Sequence, residues 1–187
     1  MPRLHPNLLQ ADNTLLVVID MQEPFLRNLH ERERVLQNIP ALIQGCSTMR
    51  VPIVVTTQYA EKMGDLHPAV RSILSNRVTP HNKMGFSCCS SPAFVSELQR
   101  SGRKQILLCG VETHICVSQT AHDLIGLGFQ VHAVADALAS RSEENWRLGL
   151  DKMRQGGVVL SSVEMALYEL LQEAGTPEFR QILGLIK

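Results

Sequence analysis

Three residues far apart in the chain, Asp20, Lys83 and Cys116, could together perform covalent chemistry. A thiol supplies a nucleophile, a carboxylate can take its proton and return it, and an ammonium can stabilise the charges that result. Each residue follows an apolar run. Asp20 closes "TLLVVID" (14–20), Lys83 closes "RVTPHNK" (77–83), and Cys116 lies just past "QILLCG" (105–110). Taken singly, each has a plainer role: a small buried hydrophobe for Cys116, a turn cap for Asp20, a solvated charge for Lys83. Only their shared placement after strands makes the chemical reading competitive.

The surroundings of Cys116 matter next. "GVETHICVSQTAHD" (110–123) turns from a strand into a helix. With Thr113 as the N-cap, Cys116 falls in the first helical turn. Free backbone N–H groups and the positive helix end there favour a thiolate and could hold the oxyanion of a carbonyl under attack. A Cys–His dyad is the competing arrangement. His114 and His122 are two and six residues from Cys116, off its helix face. His81 and His132 stay open as bases, ranked below Asp20. Cys88 and Cys89 could form a redox pair, although two adjacent cysteines also suit a plain helix entry.

These residues need a scaffold, and the apolar pattern supplies one. "TLLVVID" and "VPIVVTT" (51–57) read as strands covered on both faces. "RVTPHNK" reads as a weak edge strand because of its proline. "QILLCG", "QVHAVAD" (130–136) and "VVLSS" (158–162) complete six strands. Helical spacing separates them. Residues 31–50 place Val35, Ile39, Leu42, Ile43 and Cys46 on one face, with Pro40 either kinking the helix or starting a second one capped by Asn38. Ser91-Pro92 opens a helix that Gly102 ends, and residues 113–127 form another. Ser142 caps a helix that stops at Gly156-Gly157, and helices near 163–173 and 177–186 close the chain. Strict alternation predicts a three-layer α/β/α fold with a parallel sheet, in which ligands bind beyond the carboxyl ends of the strands. Asp20, Lys83 and Cys116 all fall on that edge.

Bulk properties narrow the function. The 187 residues suit a single domain, 1–187. Eighteen basic and eighteen acidic side chains balance to a formal charge of zero, with no basic stripe for nucleic acid. No leader-like apolar run opens the chain, and no stretch is long enough to span a bilayer, so a soluble, cytoplasmic protein is expected. Five cysteines in such a compartment predict free thiols rather than disulfides. There is no G-x-G-x-x-G, Walker lysine, H-E-x-x-H or G-x-S-x-G, and no C-x-x-C. No cofactor is expected.

The sequence resembles the isochorismatase-like hydrolases, and within them the cysteine hydrolase branch. The resemblance spans nearly the whole chain. It rests on "LLVVIDMQEPF" (15–25), "KMGFSCC" (83–89) and above all "LLCGVETHICVSQTAHDLIGLGFQVHAVADALASRS" (107–142). "TTQY" and "RSEENWRLGLDKMRQGGVVLSSVE" look most like isochorismatase-domain-containing proteins and their bacterial relatives. The resemblance implies a six-stranded parallel sheet of order 3-2-1-4-5-6 and a homo-oligomer. It implies a catalytic aspartate at Asp20, a lysine at Lys83, a nucleophile at Cys116 and a cis peptide at Val111–Glu112. The family's nicotinamidases bind metal through a T-x-D-x-H stretch. Here Gln58 and Ala60 replace its aspartate and histidine, so neither a metal nor nicotinamide is expected. True isochorismatases lack the cysteine, so Cys116 also argues against vinyl-ether hydrolysis.

The expectation is therefore a metal-independent cysteine hydrolase of a small amide, carbamoyl or related C–N bond. Asp20, Lys83 and Cys116 are its catalytic residues, and the loop of Val111, Glu112 and Cys116 holds the oxyanion. Phe25, Gln58, Tyr59 and Phe86 are candidates for contact with a small-molecule substrate. Two rivals remain: a thiol-based redox protein, and a non-catalytic oligomeric scaffold with a relict site.

Overall fold

In the computed structural model, which describes residues 5–76 and 78–186, six strands form one parallel sheet. They are β1 (Thr14–Ile19), β2 (Ile53–Gln58), β3 (His81–Lys83), β4 (Gln105–Val111), β5 (Gln130–Ala139) and β6 (Val159–Ser161). Their order is β3-β2-β1-β4-β5-β6, as expected. The chain starts at the centre with β1, moves outward through β2 to β3, then returns to β4 on the other side of β1. That reversal opens a crevice at the carboxyl ends of β1 and β4.

The strands are where the apolar runs place them. All six residues of β1 and all seven of β4 are buried. Successive side chains point to opposite faces. Leu16, Val18, Leu107 and Cys109 pack on one face, and Leu15, Val17, Ile106 and Leu108 on the other. Burying each such side chain contributes about 1.5–3 kcal/mol, so the central strands are a rigid platform. The edge strand β3 is shorter than the pattern "RVTPHNK" suggests. It begins only after Pro80, which cannot donate to a ladder, and Arg77 lies outside the described residues.

The helices are α1 (Glu23–Leu26), α2 (Arg32–Thr48), α3 (Ala60–Met63), α4 (Pro68–Arg71), α5 (Pro92–Arg100), α6 (Ser118–Gly126), α7 (Glu143–Gln155), α8 (Val163–Leu171) and α9 (Pro177–Leu185). The serines at the helix starts behave as the sequence predicts, and Thr176 does the same at α9. Ser91, Ser142 and Thr176 each accept a backbone N–H three residues on. Pro40 does not divide its helix, because α2 runs through it without interruption. Asn38 caps nothing there: its amide donates to the Asp136 carbonyl at 2.8 Å and ties α2 to β5. β5 also runs three residues beyond the expected strand, with a register shift against β4 at Leu108/Gly110.

Candidate active site

The strand ends bring two opposite charges together. Asp20 follows β1 with φ 51°, a left-handed conformation that Asp tolerates better than most residues. Lys83 is the last residue of β3. Lys83 Nζ donates to Asp20 Oδ2 at 2.7 Å, and each side chain is only 1% exposed. Thr56, on the intervening strand β2, donates its hydroxyl to Asp20 Oδ1 at 2.7 Å. Both carboxylate oxygens are therefore engaged, as a buried charge requires.

Lys83 is held from several sides. Its Nζ also donates to Gln58 Oε1 at 2.6 Å, Phe86 O at 3.0 Å and Gly85 O at 3.3 Å. Burial alone would lower its pKa. The Asp20 charge and hydrogen bond act against burial, and the ammonium moves above its ordinary value. Gln58 spends its whole side chain here, since its Nε2 donates to Met84 O at 2.8 Å. Its backbone is fixed in turn by Gln22, whose amide bonds both Gln58 N and Gln58 O. Gln58 thus faces the cavity but acts as a clamp on Lys83. The carbonyls of residues 84–86 turn inward, so the side chains of Met84 and Phe86 are left exposed.

Cys116 stands opposite this pair. The Val111–Glu112 peptide at the end of β4 is cis, and Thr113–Val117 form a wide π-helical turn ahead of α6. Val117 N donates back to Glu112 O at 3.3 Å. Thr113 is not the cap: Glu112 occupies that position without a side-chain bond, and the Thr113 hydroxyl is buried with no hydrogen-bond partner. Two glycines allow the loop to sit where it does. A Cβ on Gly110 (φ 118°) would lie 2.1 Å from the Ile19 carbonyl, so β4 can approach β1 here only as glycine. A Cβ on Gly149 would press to 3.0 Å from His114 N, so glycine lets α7 close against the turn.

The Cys116 thiol differs from the expectation in its resting state. Burial, the Asp20 charge and its hydrogen bond to Asp20 push its pKa up to about 12, and the opposing Lys83 charge does not reverse this. The resting group is a thiol that faces a carboxylate, not a preformed thiolate. The helix end and the lysine are overruled because burial and the Asp20 carboxylate both disfavour a negative sulfur.

A cavity of about 110 Å³ opens onto Asp20 and Cys116. Phe25, Phe86, Val111 and Ile115 give it apolar walls, and Gln58, Glu112 and Arg141 supply its polar edge. Tyr59 does not line it. Its ring lies under the Lys62 ammonium at 5.2 Å, because Tyr59 adopts φ 45° as the chain leaves β2. A second cavity of about 170 Å³, bounded by Pro24 and Asn28, continues outward past Phe25, Glu112 and Arg141. A larger groove, about 590 Å³ between α5 and α6, contains none of Asp20, Lys83 and Cys116.

None of the histidines lines the cavity at Cys116. His114 pairs with Ser140 Oγ at 2.9 Å, His81 with Glu97 at 2.6 Å and His122 with the Ser118 carbonyl at 2.6 Å. His132 is buried within β5. Arg141, by contrast, is a cavity residue that sequence reasoning missed. It grips Glu112 through Nη2–Oε1 at 2.6 Å, Nε–Oε2 at 3.1 Å and its own backbone N–H at 2.9 Å. Burial would raise the Glu112 pKa, but the Arg141 bonds and charge win and lower it. Arg141 follows the carboxyl end of β5, so the strand-end rule that found Asp20 could have found it too. Thr56 and the clamping role of Gln58 carried no such signal.

This geometry has known counterparts. Residues 14–165 match the Isochorismatase domain. The chain is 36% identical over 183 residues to the secreted isochorismatase effector Isc1 of Phytophthora sojae, covering 94% of this chain and 85% of that protein. It is 34% identical over 178 residues to isochorismatase domain-containing protein 2 of Danio rerio, covering 95% and 89%. Its fold is similar to the solved structure of a MAR1 ribonuclease from Caenorhabditis elegans, with a TM-score of 0.90 at 30% identity over 95% of this chain and 91% of that one. A match across the whole sheet, at this level of identity, places the chain in the isochorismatase family of hydrolases.

Proposed function

We propose that the protein is a cysteine hydrolase that cleaves a small amide, carbamoyl or related C–N bond without a metal. One observation carries this reading: a thiol and a carboxylate line one small cavity, and a buried ammonium is paired with that carboxylate. Asp20 accepts the Cys116 proton as the sulfur attacks the substrate carbonyl, so the high thiol pKa is no obstacle: the sulfur gives up its proton as it meets an electrophile. Backbone N–H groups of the 111–116 loop bind the resulting oxyanion. The tetrahedral intermediate collapses as Asp20 protonates the leaving nitrogen, giving an acyl thioester on Cys116 and a free amine or ammonia. Asp20 then takes a proton from water, the hydroxide adds to the thioester, and the proton returns to the departing sulfur. Lys83 holds the Asp20 carboxylate in place through its 2.7 Å bond to Oδ2.

The cavity limits the substrate. It has room for only a handful of non-hydrogen atoms at the thiol, with apolar walls suited to a flat acyl group. Gln58 occupies its amide with Lys83 and Met84, which favours metal-free chemistry at this position. Phe25 and Phe86 would flank the acyl group, while Arg141 and Glu112 would meet its outer end. We place the protein in the cytoplasm as a homo-oligomer, in keeping with the exposed Met84 and Phe86. Among the described residues no helix is long and apolar enough to cross a membrane.

The test is intact-protein mass spectrometry after incubation with a panel of small amides, with ammonia release measured in parallel. An acyl adduct on Cys116 that decays with turnover is the expected result. The Caenorhabditis elegans relative is called a ribonuclease, so RNA belongs in the same panel. In this protein the cation at the cavity mouth, Arg141, is already neutralised by Glu112, which disfavours a phosphodiester. RNA cleavage that survives Cys116→Ala, with no amide turnover, would overturn the cysteine-hydrolase reading.

A further inference from the structure

One buried nucleophile beside the site has no part in the reaction above. Cys88 opens the short turn Cys88–Ser90 and is fully buried. Its thiol donates to Thr56 Oγ1 at 3.7 Å, and that same hydroxyl donates to Asp20. Its backbone N–H donates to Thr120 Oγ1 at 2.9 Å. Thr120 lies in α6, directly after the turn that carries Cys116, and Cys88 and Cys116 pack in the same buried cluster. Cys88 is therefore pinned both to a partner of Asp20 and to the helix that follows Cys116.

The other cysteines are placed differently. Cys46 and Cys109 pack on the opposite face of the sheet from Cys88 and Cys116. Cys89 lines the groove between α5 and α6 with His122 and Asp123. Cys88 has no exposed surface, while Cys116 reaches the cavity. A small oxidant thus meets Cys116 first, and the buried thiol behind the site is Cys88.

We propose that Cys88 is a resolving thiol for Cys116, and that a small hydroperoxide entering the cavity leads to a Cys88–Cys116 disulfide. This rests on the reading of Cys116 as a reachable nucleophile. In the first step the Cys116 sulfur attacks the peroxide oxygen and the O–O bond breaks. Cys116 becomes a sulfenic acid, the peroxide is reduced to an alcohol or water, and Asp20 carries the thiol proton to the leaving oxygen. In the second step the Cys88 sulfur attacks the sulfenic sulfur. The S–S bond forms, and hydroxide leaves as water with the Cys88 proton. Two equivalents of external thiol reverse the change. The disulfide removes the nucleophile reversibly and spares it from irreversible oxidation.

The experiment treats the full chain with a small excess of hydrogen peroxide, followed by alkylation and non-reducing peptide mapping. Untreated protein is labelled with iodoacetamide alongside. A single Cys88–Cys116 crosslink is expected, with Cys116 labelling reduced by about tenfold or more and restored by dithiothreitol. Cys88→Ala should keep the untreated labelling rate. After peroxide it should instead carry a Cys116 sulfenic acid that dimedone traps and that proceeds to sulfinic acid. Cys88→Ser serves if the alanine variant folds poorly. Sulfinic acid on Cys116 in the wild type with Cys88 still reduced, or a crosslink through Cys89, overturns the proposal. If Cys116 labels with iodoacetamide but no crosslink forms, only the resolving role of Cys88 fails. If Cys116 reacts with neither reagent, its role as nucleophile fails as well.

Discussion

Lys83 Nζ and Asp20 Oδ2 lie 2.7 Å apart, with both side chains sealed from solvent at the edge of the sheet. Neither charge is tolerable there alone. Removing one partner of a buried pair costs about 3–5 kcal/mol, because the other charge is left uncompensated. Lys83→Met should therefore destabilise strongly, and Asp20→Asn should do the same. The double variant should recover much of the loss while remaining inactive. Urea unfolding of the three variants checks this. Additive losses would show that the two residues do not act as a pair.

The same pair sets the Cys116 thiol, with opposite signs. Asp20 raises its pKa and Lys83 lowers it. At pH ~8, Asp20→Asn should therefore speed iodoacetamide labelling of Cys116 while abolishing turnover, because the thiolate forms more readily but no base remains. Lys83→Met should slow labelling. The measurement is the labelling rate at Cys116 as pH rises. If Asp20→Asn labels more slowly than wild type, the carboxylate is not what holds the proton on sulfur.

Cys116→Ala should lose at least about a thousandfold in rate, since it removes the whole covalent pathway. It should cost little stability, because the thiol borders a cavity and is not packed on all sides. Comparing turnover with the thermal midpoint separates the two effects. An active but destabilised variant would make Cys116 a packing residue.

The Gln58 side chain holds Lys83 Nζ at 2.6 Å and Met84 O at 2.8 Å, which commits both ends of its amide away from a metal role. Activity should survive exhaustive chelation. Gln58→Ala should reduce kcat more than it raises KM, because it loosens Lys83 rather than a substrate contact. Loss of activity on chelation, with recovery on adding zinc, would contradict this assignment.

His132 gives a pH dependence of its own. It is buried in β5 with no hydrogen-bond partner on either ring nitrogen, and burial pushes its pKa down from 6.5 to about 4. Below pH 6.5 the unfolded chain therefore takes up a proton that the folded chain refuses. Stability should fall as pH drops from 6.5 towards 4, by at most about 1.4 kcal/mol per pH unit. His132→Leu should flatten that part of the stability–pH curve. Identical acid branches in the two proteins would assign the loss to other groups.

Much of this architecture is written in local pattern. A run such as "TLLVVI" can bury six consecutive side chains only inside a covered parallel sheet, and it became β1. Ser91, Ser142 and Thr176 mark helix starts by chemistry that acts over three residues, which a linear reading can see. Strand ends then bring Asp20 and Lys83 to one edge. Other features depended on contacts between distant segments. α2 accommodates Pro40 because the helix is held against the sheet, and Asn38 leaves its expected cap to reach Asp136. The edge strand shortens to His81–Lys83 because Pro80 cannot join the ladder. Gln58 became a clamp because the 84–86 carbonyls turned inward, and Arg141 entered the site because Glu112 needed a partner. The protonation of Cys116 was beyond the sequence for the same reason. A helix end and a lysine argue for a thiolate, but electrostatics follow distance, and only the folded structure sets a carboxylate against the sulfur.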